Sequence, residues 1–155
     1  MTQNDYIHIY DRDLQRLITE MEAYTDPEEI WLVAPMISNS AGHLAQHLIG
    51  NLKTFVTEPL AGFPYQRDRD AEFNSKRFSY AELLKELYAL KDEVIESIKR
   101  IEDVAAPYPK VIKDVHEGQT IDFMLCHLLA HLAYHTGQIN YHRRLLGTTV
   151  IPAQK

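Results

Sequence analysis

Apolar residues recur at spacings of three and four through four long stretches of this chain, and nothing alternates with period two for long enough to make a sheet. That pattern confines the fold to helices that each bury one stripe against the others, an all-α four-helix bundle. In the first stretch Tyr6, Tyr10, Leu14, Leu17, Ile18 and Met21 form the stripe and Pro27 cannot continue it, so a helix is expected over about 4–24. The second follows Ser38, Asn39 and Ser40, each able to accept from a free helix N–H. It carries Leu44, Leu48, Leu52 and Phe55, and Pro59 and Gly62 are expected to end it. The third opens on Ser79 and Glu82, which have capping-box spacing, and aligns Leu83, Leu87, Leu90, Val94, Ile98 and Ile101. It is expected to be the longest uninterrupted helix. The fourth runs from near Thr120 to Gly147, a residue suited to the left-handed conformation past a helix end.

The connections then constrain topology. Between the second and third helices lies "PLAGFPYQRDRDAEFNSKRF", far longer than antiparallel neighbours need, so a long crossover between helices 2 and 3 is expected. The segment "APYPKVIKDVHEGQ" before the fourth helix reads as an ordered loop with a short extended piece. A length of 155 residues suits one domain spanning 1–155, and 45% hydrophobic with 25% charged residues is a globular composition.

Several partner classes are disfavoured. No apolar run reaches the roughly 20 residues that span a bilayer, and the opening residues lack a signal-peptide layout, so a cytoplasmic protein without a membrane partner is expected. The net charge of −6 argues against a nucleic-acid surface, and Arg143 and Arg144 read as a solvated helix end. The single cysteine, Cys126, rules out an internal disulfide and a Cys-rich zinc site, and it reads as a small core residue.

The histidines are the chemically informative residues. At about 100° per residue, Met124, Leu128, His135, Gln138, His142, Leu145 and Leu146 fall within roughly 60° of His131, which puts the histidines on the buried face. Imidazoles at i and i+4 present two ring nitrogens to one region of space, the usual way a helix chelates a divalent cation. A third ligand would come from a facing helix, and "HLAQH" on the second helix offers His43 and His47. The stripe of that helix centres about 100° from His47 and about 140° from His43, which favours His47 while leaving the choice open. His127 competes on the fourth helix, whereas His8, His116 and His142 read as packing or surface histidines. For His47 and His135 to reach one ion, their rings must lie within about 8 Å of each other.

The fragments "ISNSAGHLAQHLIGNLKTFV" and "HLLAHLAYHTGQINYHRRLLG" together resemble the DinB-like superfamily of small four-helix bundles, which includes YfiT-like proteins and bacillithiol- and mycothiol-dependent transferases. The likeness runs from the first helix to Gly147. It implies a divalent metal ion, Zn or Ni, held by one histidine of the second helix and two of the last, here His47, His131 and His135. It also implies a homodimer and an enzyme that activates a low-molecular-weight thiol or a water for transfer or hydrolysis. Relatives more often carry a different polar residue at the place of His43, so His43 and His127 stand as departures. No catalytic residue beyond the ligands is assigned. Gln138 is on the ligand face and could orient a ligand or substrate, and Asn51 faces the same way but cannot take a proton.

Overall fold

The computed structural model of the chain describes residues 1–110 and 118–146, and within them the regular structure is helical. The elements are α1 (Gln3–Glu22), a 3-10 turn (Pro27–Trp31), α2 (Ala41–Leu52), a π turn (Lys53–Thr57), α3 (Glu58–Ala61), α4 (Arg69–Asn74), α5 (Tyr80–Lys99) and α6 (Ile121–Leu146). The all-α bundle expected from periodicity is the observed architecture. No helix among the described residues is long and apolar enough to cross a membrane.

The four long helices pack in the cyclic order α1, α5, α2, α6. Their directions follow from side-chain contacts. Tyr6 and Tyr10 donate to the carbonyls of Asp122 and Leu125 at 2.8 Å, while Glu20 receives Asn140 and Arg143, so α1 and α6 run parallel. Gln3 donates to the carbonyls of Ile98, Lys99 and Ile101, closing the end of α5, and Tyr80 reaches Met21 O, so α1 and α5 are antiparallel. His47 faces His131 and His135 while Leu44 lies further along α6, near Gln138 and His142, so α2 opposes α6. Consequently α2 and α5 are parallel although consecutive among the long helices, and the chain must travel back between them. That requirement is the physical reason for the long crossover.

Local chemistry sets the helix starts. Thr2 with Asp5 and Ser79 with Glu82 form full capping boxes, and of the three candidates before α2 it is Ser40 that caps, accepting from His43 N. The predicted stripes of α1 and α5 are all buried. Four expectations are corrected. Pro59 does not end the second helix: the backbone widens into the π turn and Pro59 sits in the first turn of α3, where no donor is needed, and Gly62 at φ 74° makes the stop. The longest helix is α6, with 26 residues against 20 for α5, because cross-helix contacts of its polar last turns hold them in place. One of those contacts is made by Arg143, which is an ion-pair partner of Glu20 at 2.8 Å rather than a solvated end. Cys126 is exposed, since the core side of α6 is taken by Leu125 and Leu128.

Before α6, Pro107 and Thr120 form an isolated antiparallel bridge, the extended piece expected there. Thr120 accepts from Phe123 N at the start of α6. Gly147 and His116 lie outside the described residues.

Candidate metal centre

His47, on α2, is buried, and His131 and His135, on α6, are half-buried. The Nε2 atoms of His47 and His131 are 3.3 Å apart and those of His131 and His135 are 3.1 Å apart. The rings of His47 and His135 are 5.2 Å apart, well inside the reach of a common ion. The other two candidates are elsewhere: His43 lies against Ser40 Oγ and the Trp31 ring, and His127 stacks on Phe123. His142 is a satisfied core histidine, bonded to Tyr24 Oη and Leu32 O.

The histidine pair of α6 is at the edge of the buried face, not at its centre. The buried stripe runs through Ile121, Leu125, Leu128, Leu132 and Ile139, and on the histidine side Met124 and His142 are buried whereas Gln138 and Leu145 are exposed. The core seam is set by packing against both α1 and α2, which rotates it away from the line taken from His131. An edge position keeps the imidazoles reachable from outside.

His47 is more buried than its own helix stripe implies, because α4 covers that flank of α2. Gln46 stitches the two together, donating to the carbonyls of Glu72 and Ser75 and accepting from Arg77 N. The stitch delivers the Glu72 carboxylate, fully buried, to 3.0 Å from His47 Nδ1, while Arg67 grips the same carboxylate through Nε and a terminal nitrogen at 2.8 and 2.9 Å. Gly50 makes room for it: a Cβ there would stand 1.9 Å from Glu72 Oε1. Neither Glu72 nor Arg67 was legible in the crossover sequence. Two signals pointed that way, a glycine inside an apolar helix and Asp68 placed to cap a short helix, as it does by accepting from Ala71 N.

These contacts define tautomers. A carboxylate only accepts, so the 3.0 Å contact with Glu72, shorter than the 3.3 Å approach of an Arg67 terminal nitrogen to the same atom, puts the His47 hydrogen on Nδ1 and turns a lone pair on Nε2 toward the cluster. Gln138 Oε1 does the same for His135, 2.6 Å from its Nδ1. His131 Nε2 has one hydrogen to offer at most, so hydrogen bonds alone cannot satisfy all three facing nitrogens. A cation can. With Zn–N bonds of about 2.0–2.1 Å in tetrahedral geometry, ligand nitrogens stand roughly 3.3 Å apart, close to the spacing of His131 Nε2 from each of the other two, and all three ligand nitrogens lie within 4.8 Å of one another. The three histidines therefore form a group that could hold a metal ion.

The electrostatics favour the neutral ligands that such a site needs. Burial, then the neighbouring His135 and His47, push His131 down to about 4 from its ordinary 6.5. Burial also lowers His135, against an opposing bond from Gln138. For Glu72 burial acts upward, but the hydrogen bonds from His47 and Arg67 together hold it below its ordinary 4.5. All three groups bind protons more weakly folded than unfolded, so the metal-free protein is expected to lose stability as pH falls. The His131 contribution is full above pH 6.5 and declines toward about 4, and that of Glu72 is lost below 4.5. Denaturant midpoints measured between pH 7.5 and 4 check this; a flat profile contradicts it.

A groove of about 450 Å³ runs between residues 34–39 and the second half of α6, with Leu44, Gln138, Tyr141 and Leu145 on its walls and none of the three cluster histidines among its lining. Gln138 thus touches both the groove and His135. Met36, at φ 74° and fully exposed, forms part of the rim.

Fold and geometry define a helical bundle with a three-histidine group on the seam between α2 and α6. A family model described as "Protein of unknown function (DUF1572)" matches residues 3–150, and the chain belongs to that family, which is grouped in the DinB-like clan. Comparisons with curated proteins and with solved structures returned no match.

Proposed function

We propose that this chain is a metal-dependent enzyme of the DinB-like superfamily in which His47, His131 and His135 hold a divalent ion, Zn or Ni, leaving a position free for an outside molecule. The observation that carries the reading is that His131 Nε2 stands 3.3 Å from that of His47 and 3.1 Å from that of His135, with ligand nitrogens of all three within 4.8 Å of one another and the Nδ1 atoms of two of them already committed to Glu72 and Gln138. Such an ion lowers the pKa of a bound thiol or water until the anion exists near neutrality, which suits thiol transfer to an electrophile or hydrolysis. The protein's own part is positional. Three neutral imidazoles supply no negative charge, so an anionic fourth ligand such as a thiolate is favoured. Gln138 holds His135 while lining the groove, and it is the residue that links a small-molecule substrate seated there to the cluster.

A second reading has one observation in its favour. Glu72, the carboxylate bonded to the cluster, is fully buried and committed to Arg67 and His47, so it is not free to take a substrate proton. On that reading the ion clamps α2 to α6 and nothing turns over. The two are separated by elemental analysis of untagged protein followed by chelation. The enzyme reading expects about one ion per chain, a folded bundle after its removal, and metal-dependent turnover within a panel of thiols and electrophiles. Collapse of the fold on chelation, with no turnover before it, favours the clamp, and no stoichiometric metal ends both.

A further inference from the structure

Each cluster histidine that turns Nε2 to a shared point needs an acceptor for the hydrogen on its other nitrogen, and such partners orient metal-bound imidazoles. Glu72 serves His47 and Gln138 serves His135. His131 is the exception: its Nδ1 is buried without a partner among the described residues. The same is true there of one other side-chain atom, Asn51 Oδ1. With a metal on His131 Nε2, one is a donor without an acceptor and the other an acceptor without a donor, and buried polar groups are rarely left so.

Their places in the fold agree with that complementarity. Asn51 is one turn beyond His47 on α2, about 6 Å along the axis and about 40° around it, so the two lie on adjoining parts of one helix face. Because α2 opposes α6, Leu44 lies near Gln138 and His142, and His47 meets His135 and His131. Continuing the same progression brings Asn51 to the His131 side of the cluster, away from Gln138. Asn51 is 8% exposed, which leaves it little bulk water to bond instead.

We propose that Asn51 is the positioning residue of His131: its Oδ1 receives the His131 Nδ1–H through one bridging water, completing for the third imidazole what Glu72 and Gln138 do for the other two. No direct bond joins the pair in the structure, and a water can accept from the ring N–H while donating to the amide oxygen. The proposal rests on reading the cluster as a metal centre, because a metal on Nε2 is what leaves the His131 hydrogen on Nδ1.

The test compares wild type with Asn51→Ala and Asn51→Asp. Zinc affinity is measured by competition with a chromophoric chelator, and the ring N–H signals of His131 by nitrogen-edited NMR with and without zinc. Asn51→Ala is expected to weaken zinc binding by roughly 10–100-fold and to lose the slowly exchanging Nδ1–H of His131, with Asn51→Asp restoring both. A purely structural asparagine would change the melting temperature and leave that signal in place. Zinc affinity within twofold of wild type and an unchanged signal in Asn51→Ala would overturn the proposal. If wild type takes up no zinc, the metal centre itself fails and the assignment of Asn51 fails with it. Zinc uptake by wild type without an Nδ1–H signal from its His131, or with that signal persisting in Asn51→Ala, overturns the assignment of Asn51 alone.

Discussion

His131→Ala is expected to retain the fold and lose the metal. His131 sits between the other two imidazoles, its Nε2 3.3 Å from that of His47 and 3.1 Å from that of His135, so its removal deprives an ion of the central ligand. Outer partners of metal ligands are worth about 10–100-fold in affinity, and loss of a ligand exceeds that, so stoichiometric zinc should no longer survive desalting. Stability should behave differently. The ring is half-buried and its Nε2 crowds two other ring nitrogens, so the metal-free variant is expected to melt no lower than metal-free wild type. With zinc present at about 100 times its dissociation constant, wild type alone should gain about 2.7 kcal/mol. Paired melting curves with and without zinc read both effects. Equal zinc-dependent shifts in the two proteins would remove His131 from the site.

Glu72→Ala should do the opposite, damaging the fold before the ligands. The fully buried carboxylate neutralises Arg67, whose side chain is 17% exposed, and accepts from His47 Nδ1. Its loss strands a largely buried guanidinium and an imidazole N–H, the kind of broken buried pair that costs about 3–5 kcal/mol. In a chain of this length that is a fall in melting temperature of about 10 °C, measured without metal. Gly50→Ala reaches the same group from the other side. Its Cβ would meet Glu72 Oε1 at 1.9 Å, and that oxygen cannot step aside without releasing Arg67. Melting temperatures of either variant close to wild type would show that the Glu72 and Arg67 pair does not hold the crossover to α2.

Much of the bundle was legible because its determinants are local. A spacing of three and four places Tyr6, Tyr10 and Leu14, or Leu83, Leu87 and Leu90, on one face whatever else the chain does, and Ser79 with Glu82 starts a helix from four residues alone. The histidines of α6 were legible for the same reason, since i and i+4 meet on any helix. His47 was favoured by angle and implied by family likeness; His43, four residues away, turned instead to Ser40 and Trp31.

What local pattern could not carry were contacts between distant segments. α4 is six residues with little periodicity, and it exists where it does because Gln46 and Gly50, about 20 residues earlier, accept it. Cys126 and Arg143 were misplaced for a related reason: which side of α6 meets α1 and α2 depends on how the helices are rotated against each other. The sequence by itself determined the helices, their caps and the two imidazoles that share a turn, because these depend on neighbours within a few residues. Only the tertiary structure decided that α2 and α5 run parallel, that a buried carboxylate stands behind His47, and that three ring nitrogens meet. Those outcomes depend on chain direction and packing between segments far apart in sequence.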